Sequence, residues 1–291
     1  MFKDQYTPKT CERTRRTLLA TVGMTAFGGL AGCIGGEEND NGDTTETSSV
    51  PGLQLSLRAD VGVTTDDQGQ VTKWADQSGN GYDFSPPRAE ARPGLTEETS
   101  VGTPALSFNG DGQFLLREDT AGIANDSART FVIACRLTDT AERSPFFMQG
   151  KFNATDENAN AYGVEANTYR TAGERFGVYL ISVANDSERG TDTNYHIHTI
   201  QTESFPELEE IRNTTTYYVD GTETSFAHTG GGAFNSPFDG TASAVGAFPQ
   251  ENPGASHTGE IAEIRAYNRA LSDDERSAVE STMADRYGID I

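Results

Sequence analysis

From Pro51 onward the chain breaks into short apolar runs separated by glycine, asparagine and aspartate, the punctuation of many short strands. Leu53-Gln54-Leu55-Ser56-Leu57 alternates strictly, which predicts a strand with its leucines on one face. Leu106-Ser107-Phe108 and the stretch from Arg175 to Ile181 continue the theme, and Thr130 to Leu137 is an apolar run of strand length. Tyr217-Tyr218-Val219 leads into Asp220-Gly221, a pair that tolerates the positive φ angles of a tight hairpin. Ile261 to Tyr267 predicts another strand. One helix stands out: it opens at Ser272, where Glu275 completes a capping box and Asp273 and Asp274 favour the positive end of the dipole. Val279, Met283 and Tyr287 recur every four residues as one apolar stripe, and Gly288 ends it. The expected fold is all-β with a short C-terminal helix, and no linker or repeat divides residues 51–291.

Ahead of that domain, Thr14-Arg15-Arg16-Thr17-Leu18-Leu19 sets paired arginines before an uncharged apolar run that ends in Leu30-Ala31-Gly32-Cys33. Residues 1–33 thus read as a twin-arginine export signal closing in a lipidation motif, with the lipid on the Cys33 thiol. The run from Leu18 to Gly32 is too short for a helix that crosses the hydrocarbon core, which needs about 20 residues. Residues 34–50 are polar and acidic without apolar period and read as a disordered tether spanning roughly 20–25 Å. The expected location is the outer face of the cytoplasmic membrane, reached through a lipid anchor alone.

Charge sharpens the picture. Forty-four acidic residues face twenty-two basic ones, for a formal net charge of −22. Losing residues 1–33 removes five basic and two acidic side chains and takes the mature chain to −25. That excludes nucleic acid as a partner and leaves no basic patch for anionic lipid. Concentrated salt, with a Debye length of about 3 Å at 1 M, suppresses the self-repulsion. Four lysines in the whole chain, together with the export motif, make it similar to secreted lipoproteins of extremely halophilic archaea. With Cys11 in the signal and Cys33 lipidated, Cys135 stands alone in an apolar strand, where a small buried hydrophobe is expected.

A wider resemblance rests on Leu57-Arg58-Ala59-Asp60, Trp74-Ala75-Asp76-Gln77-Ser78-Gly79-Asn80-Gly81, Phe108-Asn109-Gly110-Asp111-Gly112, Tyr218-Val219-Asp220-Gly221 and the stretch from Gly259 to Ser272. In that order these motifs resemble the laminin-G-like branch of the concanavalin A-like lectin and glucanase superfamily. The resemblance implies a jelly-roll sandwich of two antiparallel sheets, with ligands on the concave face or the rim loops. It also implies calcium, a hard cation suited to oxygen ligands, with Asp76, Asn80 and Asp83 on one turn and Asn109 and Asp111 on another that could approach it. The competing role for these five residues is turn formation through bonds to their own backbone. Trp74 is expected in the core.

Catalytic residues are not identified. The Glu-x-Asp-x-x-Glu pattern of the superfamily's retaining glycosidases is missing, and Glu260 and Glu263, three apart in a strand, are expected on opposite faces. Glu207, Glu209 and Glu210 beside Pro206 read as a solvated loop. His196 and His198 would share a face if Thr193 to Gln201 is a strand, a spacing open to zinc or copper with His228 or His257, or simply to surface histidines. Sequons at Asn125, Asn153, Asn185 and Asn213 are expected in turns or at strand ends as N-glycan acceptors. The leading expectation is a non-catalytic surface module recognising carbohydrate or surface glycoprotein, calcium-assisted or not. The alternatives are a glycan hydrolase or lyase with unrecognised catalytic residues and a structural envelope component.

Overall fold

The computed structural model describes residues 50–291 apart from 126, 152–160, 168–173, 181–182, 205–209 and 232–239. Cys33, nearly all of the tether, Asn153, Glu207 and Glu209 lie outside the described residues. In chain order the strands begin with β1 (Leu53–Arg58), β2 (Val63–Thr65), β3 (Val71–Trp74), β4 (Gly94–Thr96), β5 (Ala105–Asn109) and β6 (Leu115–Arg117). They continue with β7 (Arg129–Leu137), β8 (Ser144–Gly150), β9 (Ala161–Ala166), β10 (Arg175–Leu180), β11 (Val183–Gly190) and β12 (His196–Thr202). The last are β13 (Thr215–Val219), β14 (Thr222–Glu223), β15 (Phe226–Gly231), β16 (Ala242–Val245) and β17 (Thr258–Tyr267), followed by helix α1 (Asp273–Tyr287).

One sheet runs β14-β13-β12-β7-β17-β5-β4, with β1 added on β17, and the other runs β15-β11-β10-β9-β8-β16-β6. The strand pairs described are antiparallel, and the molecule is a jelly-roll sandwich with one C-terminal helix, as expected. Leu55, Leu57, Phe131, Ile133, Phe147, Tyr162, Val178 and Ile264 fill the space between the sheets. Phe131 meets Phe147 and Tyr162 edge-on at 4.9 and 5.3 Å, a geometry that aromatic quadrupoles favour. Trp74 is fully buried there and donates Nε1–H to the Arg58 carbonyl at 2.9 Å. Cys135 is buried in the same core, and burial pushes its thiol well up.

The helix caps as its sequence specifies. Ser272 Oγ accepts the Glu275 amide, the Glu275 carboxylate accepts the Ser272 amide at 2.9 Å, and Gly288 closes the helix at φ 60°. Val279, Met283 and Tyr287 pack onto the outer face of the first sheet beside Val132, Ala134, Ile197 and Ala262. The Asp220-Gly221 turn joins β13 to β14 with φ of 51° and 70°, both positive as a two-residue hairpin requires.

Two expectations about strand faces fail, both at β-bulges. A register shift between Leu53 and Leu55 turns Leu53 to the helix side while Leu55 and Leu57 face the core. A second shift between Ile261 and Glu263 inserts Ala262 as an extra residue, so Glu260 and Glu263 point to the same face. Glu263 is fully buried under α1, bonded to Arg265 Nε at 2.6 Å, Arg286 Nη1 at 2.5 Å and the Tyr287 hydroxyl at 2.9 Å. Glu260 accepts from Arg136 at 2.8 Å and Tyr195 at 2.6 Å. Both carboxylates therefore belong to the layer outside the first sheet, and Glu263 ties the helix down.

Candidate functional site

Asp76 organises the turn that follows β3. Its Oδ1 accepts the amides of Ser56 and Ser78 at 2.9 Å, and its Oδ2 accepts the Ser78 hydroxyl at 2.6 Å and the Tyr82 amide at 3.0 Å. Asp83 closes the turn, accepting the Asp76 amide at 2.9 Å and pairing with Lys73 at 2.5 Å, which lowers its carboxyl pKa. Asn80 Nδ2 donates to the Gln54 carbonyl at 2.9 Å. Asn109 and Asp111 form a different turn, in which Asn109 Oδ1 accepts the Asp111 amide at 2.9 Å. The two turns sit toward opposite ends of β17: Asn109 pairs with Thr258, while Ser56, beside Asp76, pairs with Arg265. At 3.3 Å per residue they stand roughly 20 Å apart. The five residues therefore do not converge, and the oxygens of Asp76 are occupied by four donors. This donor set does not fit a calcium ion, and Asp76 and Asp83 act as turn organisers.

What the turn does is deliver the next segment. Phe84 exchanges backbone hydrogen bonds with Trp74 at 2.8 and 2.9 Å, and Ser85 does so with Leu116 at 2.8 and 3.3 Å. Ser85-Pro86-Pro87-Arg88 is thereby fixed along β6, the edge strand of the second sheet. Between this segment and the loop after β16 lies an open cleft of about 640 Å³, lined by Ser85, Pro86, Pro87, Arg88, Leu116, Glu118, Glu251 and Asn252. That volume is within the range of ligand pockets, about 300–1,000 Å³. Arg88 spans the wall: Nη1 donates to the Glu251 carbonyl at 2.6 Å, and the guanidinium lies 5.7 Å over the Phe114 ring. Its lining residues combine the apolar Pro86, Pro87 and Leu116 with the polar or charged Ser85, Arg88, Glu118, Glu251 and Asn252. Such a lining can stack on the C–H face of a polyol and hydrogen-bond its hydroxyls.

A second constellation lies on the outer face of the second sheet, where no sequence spacing announces it. Glu165 on β9 and Asp186 on β11 both pair with Gly177 on β10, which has no side chain to separate them. Arg143 holds Glu165 through two bonds of 2.9 and 3.0 Å and lies 4.6 Å over Phe248 and 5.3 Å over Tyr179. Glu165, Tyr179 and Phe248 are buried, and burial raises the Glu165 carboxyl pKa against the pull of Arg143.

His196, His198 and His257 face inward, and the His228 side chain lies outside the described residues. His196 and His198 share a face of β12 with ring centroids 6.0 Å apart. Burial opposes a charge on His196, but Asp220 at 2.6 Å and Asp192 at 2.9 Å hold its two nitrogens and raise its pKa. His198 bonds the Tyr217 hydroxyl at 2.8 Å, and His257 bonds the Ser144 hydroxyl at 2.8 Å. Burial holds His198 well below the usual range and His257 at about 3. Phe146 packs against both rings, at 5.0 and 5.3 Å. No group of three or more metal-ligating side chains occurs among the described residues. Of the sequons, Asn213 is exposed before β13 and Asn125 is half-buried. Asn185 is not in a turn: it lies within β11 and is fully buried, which denies a glycosylating enzyme access to it in the folded domain.

No family model matches the chain, and no curated protein matches it. Among solved structures it is similar to a Trypanosoma rangeli sialidase in complex with sialic acid, at 14% identity and a TM-score of 0.55 over 81% of this chain. It spans about a third of that sialidase chain, 34%. Domain 4 of an extracellular arabinanase from Geobacillus stearothermophilus, in complex with arabinotriose, gives 16% identity and a TM-score of 0.47 over 77% of this chain and 95% of that domain. The sialidase likeness supports the sandwich fold.

Proposed function

We propose that this chain is a carbohydrate-binding module held at the outer face of the cytoplasmic membrane by a lipid on Cys33. The observation that carries the binding role is the cleft between Arg88 and Asn252, whose lining mixes apolar residues with hydrogen-bonding residues of both kinds. The motifs shared with lectin-like sandwiches support the reading, as does the similarity in fold to part of a sialidase. The twin-arginine motif, the lipidation motif and the acidic tether support the location. Immobilised oligosaccharides probed with the full chain in molar salt should retain it. The Arg88→Ala and Asn252→Ala variants should bind at least tenfold more weakly, Asn252→Ala at unchanged melting temperature. Retention unaffected by either substitution would remove the cleft from the reading. Labelling with a lipid precursor should follow Cys33 and vanish in Cys33→Ser.

A second reading, glycoside hydrolysis, is favoured by one observation: Glu165 and Asp186 both pair with Gly177 and so flank it on the outer face of the second sheet, and burial raises the Glu165 pKa. Release of reducing ends that disappears in Glu165→Gln would establish it. Absence of such release across a polysaccharide panel would leave binding alone.

A further inference from the structure

The charge around the cleft carries the reading one step further. Its lining residues include two glutamates, Glu118 and Glu251, and one arginine, Arg88. The neighbouring cations are matched elsewhere: Arg117 grips Asp119 through two bonds of 2.6 Å, and Lys73 pairs with Asp83 at 2.5 Å. Arg88 itself is held against the Glu251 backbone and the Phe114 ring, which fixes it as wall. A ligand in the cleft therefore meets a net charge of −1 at close range. The whole chain adds a field of the same sign, −22, at longer range. Salt separates these two effects, because at 1 M the Debye length is about 3 Å and only groups in contact with the ligand still act on it.

We infer that the cleft selects neutral or amino-bearing oligosaccharides and rejects uronic and sialic acids. The inference rests on the cleft being the glycan site. Glu118 and Glu251 accept hydrogen bonds from ring hydroxyls or an ammonium group and repel a sugar carboxylate, while Pro86 and Leu116 take the apolar face of the ring.

Calorimetric titration of the full chain decides the matter, with arabinotriose, a glucosamine trimer, trigalacturonate and sialic acid as probes, each in 0.5 M and 2 M KCl. The expected result is at least tenfold tighter binding of the uncharged or amino probe than of either acid, persisting in 2 M KCl. In the Glu118→Gln, Glu251→Gln double variant that ratio should shrink at least threefold, and both side chains are exposed, so folding is not at stake. Acid probes bound as tightly as neutral ones would overturn the inference and leave the cleft as a glycan site. A ratio that collapses in 2 M KCl in the unaltered protein would assign the selectivity to the overall charge and also overturn it. Binding of no probe, or binding indifferent to Arg88→Ala, would remove the glycan site and the inference together.

Discussion

Acidification should loosen this domain through its buried imidazoles. His198 and His257 are neutral in the folded state, held far from water between the sheets, whereas the unfolded chain protonates them near pH 6.5. Below that pH the unfolded state binds more protons than the folded one, so stability is full above about pH 6.5 and falls as pH drops. Lowering the pH from 7.5 to 5.5 raises the unfolded state's proton-binding advantage by a factor of about ten for each such histidine. One factor of ten is worth about 1.4 kcal/mol, and two histidines give about 2.7 kcal/mol. At about 2–4 °C in Tm per kcal/mol for a domain of this size, these two groups alone account for a loss of roughly 5–11 °C. His196 has the opposite sign: its raised folded pKa gives a contribution that is present below the unfolded value and lost as pH rises through the folded one. The assay is thermal unfolding of the full chain in molar KCl at half-unit pH steps. His257→Phe keeps the ring packing against Phe108 and Phe146 and removes the titrating group. It should be less stable at pH 7.5 through loss of the Ser144 bond, yet lose about 1.4 kcal/mol less between pH 7.5 and 5.5 than the unaltered protein. An identical pH slope in His257→Phe would refute the reasoning.

Three further outcomes follow from the structure. Asp76→Ala leaves three amides without their acceptor, while the Ser78 hydroxyl keeps the Gln54 carbonyl; it should lower stability by about 2–4 kcal/mol in chemical unfolding and weaken cleft binding by displacing residues 84–88. Melting temperature should climb steadily from 0.1 to 2 M KCl because of the net charge of −22, and adding millimolar calcium at fixed ionic strength should shift it no more than magnesium does. Peptide mapping of protein from a glycosylating host should find glycan at Asn213 and none at Asn185, since only the former side chain is exposed.

Elements whose information is local were legible from the sequence. The capping box at Ser272, the stripe of Val279, Met283 and Tyr287 and the terminating Gly288 each act within a turn or two of backbone. The same holds for the Asp220-Gly221 hairpin; the motif around Trp74 and the apolar run around Cys135 placed both in the core. The charge that governs partners and salt response is a property of composition and needs no fold.

Distance and facing were settled by tertiary structure. Alternation assigns a face only while register holds, and the bulges at Gln54 and Ala262 each shifted it by one residue, turning Leu53 outward and placing Glu260 and Glu263 on the same face. The turns carrying Asp76 and Asp111 look equivalent as sequence, yet they are fastened toward opposite ends of β17. The cleft is assembled from segments near residues 85–88, 116–118 and 251–252, and the facing of Glu165 and Asp186 depends on which strand lies between theirs. Such juxtapositions arise from long-range strand pairing, where the order of strands in a sheet follows from the joint burial of many side chains and leaves no periodic mark on any one of them.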